Sequence, residues 1–248
     1  MRPSPQEPRD HSFTRRSLPG PTLSSTSPKS AENWGSDMTF DDTLRGTEER
    51  ALRDLLMGSR LVVDALNGLS GCALPNWLLS AGVIAQTVWN AAHGFDACYG
   101  IRDLDVVYFD PDTRRNAEDA AAKDVTSRLG GLGFQVDVKN QARVHKWYPD
   151  RFGASIRPYE SIEDALRSWP TTATALGVSV DRGELMIRCG FGLTDLLDLV
   201  VRPNRVQVPP EIYERKVARW SVLWPKLSIK SWQEGVGIEG ERVVRIKY

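Results

Sequence analysis

The chain is poor in cysteine and histidine, with three of each in 248 residues. Cys72, Cys98 and Cys189 are odd in number, far apart and without a Cys-x-x-Cys pair, which argues against a disulfide framework or structural zinc site and for a reducing cytoplasm. Of the histidines, His11 sits in a low-complexity tail and leaves only His93 and His145, too few for a histidine-based hydrolase. Gly-x-Ser-x-Gly, Walker and His-Glu-x-x-His motifs are all missing. Net charge is missing too: 32 Lys and Arg balance 32 Asp and Glu, so no overall field favours nucleic acid or an anionic membrane. No apolar run reaches membrane-spanning length.

Residues 1–40 are rich in Pro, Ser, Thr and Arg and poor in apolar side chains, so we expect disorder there. Glu7, Asp10, Glu32 and Asp37 speak against a transit peptide, and Met38 is a candidate initiator. Folded structure is expected over 41–232, with a core at about 75–150, an extension over 151–232 and a tail over 233–248. Thr47 is a candidate helix start, followed by Leu52, Leu55 and Leu56 on one face. A second helix starts at Ser59. Trp77–Ala81 reads as a strand ending at Gly82, and Val83–Ala92 as a helix closed by His93-Gly94. Further on, Asn116–Leu129, Ser161–Trp169, Thr194–Val201 and Glu211–Leu223 read as helices, and Asp181-Arg182-Gly183 as the turn of a hairpin. Val243–Ile246 is a candidate edge strand.

The informative stretch is Ile101–Asp110, an apolar strand ending at Asp110-Pro111-Asp112. Strand side chains alternate, so Leu104, Val106 and Tyr108 share one face while Asp103 and Asp105 share the other. Like charges side by side repel, and a divalent cation between them is the simplest relief. A capped strand with a solvated Asp105 is the bland alternative. Phe134–Lys139 alternates in the same way and puts Asp137 opposite Phe134, Val136 and Val138. If the two strands are neighbours, Asp137 completes a three-carboxylate cluster able to hold two divalent ions. Gly82 adds a helix N-terminus with free N–H groups suited to phosphate.

Together, Ala81-Gly82 with Thr87-Val88-Trp89-Asn90, Ile101–Asp110, Val138–His145, Thr172–Val178, Phe191–Leu196 and Val201–Asn204 resemble the polymerase-β-type nucleotidyltransferase superfamily, and more closely a bacterial group of nucleotidyltransferase-family proteins. The resemblance spans about 75–225. It implies an α/β (α+β) fold: a mixed β-sheet flanked by helices, with a helical C-terminal part. It further implies Mg²⁺-dependent transfer of a nucleoside monophosphate from a nucleoside triphosphate to an unknown hydroxyl acceptor such as RNA, a protein or a small molecule. Asp103, Asp105 and Asp137 would be the catalytic and metal-binding residues for two Mg²⁺ ions. Gly82, Val83, Asn140 and Arg143 would bind the nucleotide. Two positions depart from the pattern: Val83 stands where the superfamily carries Gly or Ser, and Ala85-Gln86 where an Arg-Asn or Arg-Asp pair is frequent. A degenerate module that binds nucleotide, nucleic acid or protein is therefore the alternative, and a metal-dependent phosphohydrolase a third. Trp89, Trp147, Trp169 and Trp220 read as core rather than base-stacking residues.

Overall fold

A computed structural model of the chain describes residues 40–237. The proposed N-terminal disordered segment and the candidate strand at Val243–Ile246 lie outside them. Two helices open the described part, α1 (Phe40–Met57) and α2 (Arg60–Ser70), the latter N-capped by the Ser59 hydroxyl, which accepts from Val62 N–H. Thr47 therefore lies inside α1 and does not start it. Then come β1 (Leu78–Ser80), α3 (Gly82–His93), β2 (Asp103–Tyr108), α4 (Arg115–Leu129) and β3 (Gln135–Asn140). The second half holds α5 (Val144–Phe152), α6 (Ile162–Leu166), β4 (Leu176–Asp181), β5 (Glu184–Cys189) and α7 (Thr194–Leu197). It ends with β6 (Val200–Val201), α8 (Pro210–Leu223) and β7 (Ser228–Ile229).

The main sheet has the order β3-β2-β1-β4-β5. Its β2–β3 pair is parallel, joined through α4; the β1–β2, β1–β4 and β4–β5 pairs are antiparallel. This is the mixed, helix-flanked α/β architecture that the resemblance implies.

Alternation decides the two sheet faces. Leu104, Val106 and Tyr108 of β2 enter the main core with Val62, Leu66, Ile84, Trp89 and Leu129. The opposite face carries a smaller cluster in which Val107 and Leu78 meet Ile162 and Leu166 of α6. Gly177 on β4 lets these strands close up, since a Cβ there would stand 2.8 Å from Leu78 Cβ.

Two elements differ from the sequence reading. Residues 144–152 are helical although Pro149 lies within the helix. In contrast, the helix begun at Thr194 stops at Leu197. Leu199 takes a left-handed φ of 59°, and Val200-Val201 turn into a strand pairing in parallel with Ser228-Ile229. Thr194 is not the N-cap; its hydroxyl donates to Glu48 Oε1 at 2.7 Å. Trp89 and Trp220 are buried, as expected of core residues, whereas Trp147 and Trp169 are half-buried.

Candidate active site

The smaller sheet face is covered only in part. Asp103, Asp105, Val107 and Phe109 alternate onto it, and α6 packs over Val107 and Phe109. At the other end of β2, Asp103 stays exposed and Asp105 half-buried. The parallel register sets Asp105 directly opposite Asp137 on β3, which is exposed. Neighbouring strands run about 4.8 Å apart, so the two side chains leave the sheet side by side. The two aspartate strands are thus neighbours, the adjacency that a shared acidic face requires.

The electrostatics follow. Burial, then the charges of Asp103 and Asp137, push the Asp105 carboxyl up to about 6 against the opposing pull of Lys216 and Lys139. Asp137 is held by an ion pair with Lys139, two residues on and on the same face. Among the described residues, no three carboxylate, imidazole or thiol groups converge into a ready metal cage. The donor set is nonetheless all hard oxygen, and Asp105 carries repulsion from two acids that Lys216 and Lys139 offset only in part, a combination that suits Mg²⁺.

Gly82 abuts this acidic face. A Cβ built on it would lie 3.8 Å from Asp105 Oδ2 and 3.1 Å from Gln86 Nε2. The preceding turn is strained: Ala81 sits at φ 51°, ψ −111°, with its N–H donated to Leu176 O at 3.0 Å. Inside the helix, Ala85 N–H is the first to bond back, to Ala81 O at 3.1 Å. The N–H groups of Gly82, Val83 and Ile84 form the positive end of α3. Val83 itself is 1% exposed and packs into the main core. A side chain so placed leaves only the Val83 main chain to the turn, and that explains how valine is accommodated there. Among the described residues, Gln86, 5% exposed, has no hydrogen-bond partner for Oε1.

Asn140 and Arg143 have other engagements. Asn140 is fully buried: its amide oxygen accepts from Asp110 N–H and Ala142 N–H, each at 3.1 Å, and its amide nitrogen donates to Asp110 O at 2.9 Å and Asp112 O at 3.1 Å. Arg143 forms an ion pair with Glu118 of α4, whose second oxygen takes the Asn140 N–H at 2.9 Å. Both residues thus fasten the loop after β2 and the start of α4 to the end of β3.

The sequence reading did not single out Lys216 and Arg219, and it named Gln86 only as a departure from the superfamily pattern. Lys216 and Arg219 lie three residues apart on α8, and both sense the acidic strand, Lys216 through Asp105 and Asp103, Arg219 through Asp103. Protein crowding pushes the Lys216 ammonium below its usual range although water reaches the side chain, as happens in a cleft. The i,i+3 spacing of two cations was the available signal, but it also describes any solvated helix face.

No curated protein sequence matches the chain. Among solved structures, one determined by NMR and described as revealing a CCA-adding enzyme head domain aligns with a TM-score of 0.60 and 23% identity, covering 73% of this chain and 95% of that one. At this identity the likeness speaks for the fold. A family described as nucleotidyltransferase matches residues 67–229, well over half of the sequence and inclusive of β1, the two aspartate strands and α8, and the chain belongs to that nucleotidyltransferase family.

Proposed function

We propose that the protein transfers a nucleoside monophosphate from an Mg²⁺-bound nucleoside triphosphate to a hydroxyl acceptor. The observation that carries this reading is the Asp105–Asp137 register on adjacent parallel strands, with Asp103 beside them on the bare end of the face. Asp103 and Asp105 would hold two Mg²⁺ ions, and Asp137 would join on one of them by giving up Lys139. When bound, the ions offset phosphate charge and lower the pKa of the attacking hydroxyl. The main-chain N–H groups of Gly82 and Val83 take phosphate oxygens at the α3 N-terminus. The acceptor oxygen attacks the α-phosphorus and loses its proton to the Asp137 side of the site. The α–β bridging bond breaks, and pyrophosphate departs with its electron pair. Asn140 and Arg143 support this arrangement by holding the end of β3.

A binding module that has lost catalysis is the second reading, favoured by the Asp137–Lys139 ion pair, which occupies the third carboxylate. Incubation with each α-labelled nucleoside triphosphate, Mg²⁺ and a cell lysate, with Asp105→Ala in parallel, separates the two. Labelled product with wild type alone supports transfer. Mg²⁺-dependent nucleotide binding by calorimetry without any labelled product leaves the module. Neither label nor binding refutes both.

A further inference from the structure

The α8 helix lies beside the approach to the acidic strand, where Arg219 meets Gly100, and is anchored at three points. Trp224 Nε1 donates to Asn90 Oδ1 at 2.7 Å, Trp220 meets Trp89 edge-on at 5.2 Å between ring centroids, and Arg219 donates to Gly100 O. Both Asn90 and Trp89 belong to α3, the helix that starts at Gly82, so α8 is fixed relative to the proposed phosphate turn. One turn before Trp220, the Lys216 ammonium lies 5.5 Å from the Trp220 ring centroid. It acts on Asp105 and Asp103 through space, yet among the described residues it makes neither a hydrogen bond nor an ion pair. Arg219 and Arg151 add further positive charge around it. The ammonium is exposed and hydrated, so it is free to exchange water for an anionic ligand. Lys216 stands back from the carboxylates by more than ion-pairing distance but within their field. The gap between them suits a ligand that shows anionic oxygens to the helix and cations to the strand.

We propose that Lys216, backed by Arg219 and Arg151, is the polyphosphate-recognising wall of the site, and that in the empty site the same ammonium opposes cation entry at Asp103 and Asp105. This deepens the nucleotidyl-transfer reading and rests on it. Removing the charge then acts in opposite directions on two ligands, which a purely structural lysine would not do.

The test is calorimetric titration of the full chain with Mn²⁺ alone and with inorganic tripolyphosphate in saturating Mn²⁺, for wild type, Lys216→Gln, Lys216→Arg and Asp105→Asn, each checked for a cooperative melt. Lys216→Gln should bind tripolyphosphate about tenfold more weakly, the scale of one lost charge-assisted contact. It should also bind Mn²⁺ alone a few-fold more tightly. Lys216→Arg should restore tripolyphosphate binding. Should Lys216→Gln fail to melt cooperatively, Lys216→Met carries the same comparison. Equal tripolyphosphate affinity in wild type and the folded neutral variant overturns the proposal while the transfer reading stands. Failure of wild type itself to bind tripolyphosphate with Mn²⁺ overturns both, and Mn²⁺ binding unchanged by Asp105→Asn removes the metal assignment alone.

Discussion

Replacing Asp105 by Asn should make the protein more stable at pH 8 while abolishing transfer. The carboxyl is raised from an ordinary 3.8 to about 6, first by burial and then by Asp103 and Asp137. A group whose folded pKa exceeds its unfolded one binds protons more tightly when folded. Its contribution to stability is complete below about pH 4 and is lost as pH rises through about 6. The full shift corresponds to about 3 kcal/mol. Because water reaches the half-buried side chain, about 1–2 kcal/mol is the expected share. Asparagine has nearly the same shape and no charge to desolvate. In chelator, the melting temperature of Asp105→Asn should exceed that of wild type by about 3–6 °C at pH 8. The difference should shrink toward zero at pH 4.5. Added Mg²⁺ should raise the wild-type melt and leave the variant unmoved. If Asp105→Asn is no more stable than wild type at pH 8, the carboxylate is not under the strain the trio imposes, and the reading of the acidic face as a cation seat fails with it.

Gly82→Ala should fold within about 1 kcal/mol of wild type, since its new methyl is tight only against the flexible end of the Gln86 side chain and makes ordinary contact with Asp105, yet weaken Mg²⁺·nucleoside triphosphate binding by crowding the space beside Asp105; unchanged affinity in calorimetry would remove the phosphate turn from the site. Asn140→Ala breaks four hydrogen bonds at a fully buried position and should cost at least about 3 kcal/mol in urea unfolding. Arg143→Met leaves Glu118 buried without its cation and should cost about 3–5 kcal/mol; a stable Arg143→Met protein with weakened nucleotide affinity would instead make Arg143 a direct ligand. Ala81→Gly relieves a positive φ and should raise stability by about 0.5–1 kcal/mol in the same assay.

What could be read in advance was what depends on near neighbours in sequence. The two-residue period of β2 and β3 assigns Leu104, Val106 and Val138 to the core and the three aspartates to the other face, and turn residues bound both strands. Gly94 ends α3 in a left-handed conformation at φ 70°, as a C-terminal glycine should. Where local and distant preferences conflict, the distant one prevails. Residues 198–201 continue a helical pattern, but Val200-Val201 gain a partner strand from residues 228–229, and the backbone leaves the helix at Leu199. In residues 144–152 the proline argues against the helix, yet Val144 and Tyr148 find a buried cluster with Tyr159 and Ala165, and that packing sets the conformation.

The same distinction separates the aspartates from Lys216. Two carboxylates at i and i+2 declare a shared face in any strand, because the period is fixed by the backbone. A lysine on a helix declares nothing, since its face is polar whether it meets water or a substrate. Its meaning comes from Trp220 and Trp224, which are themselves legible only as core. They lock α8 onto α3 and thereby seat Lys216, which lies one turn before Trp220 on the same stripe of the helix. The aromatic packing that looks purely structural is therefore what positions the cation. A substitution that loosens it, such as Trp224→Phe, which strips Asn90 of its indole donor, should lower polyphosphate affinity without touching any charged group. Calorimetry at a temperature where the variant is fully folded checks this, and affinity equal to wild type would show that Lys216 does not depend on the seating of α8.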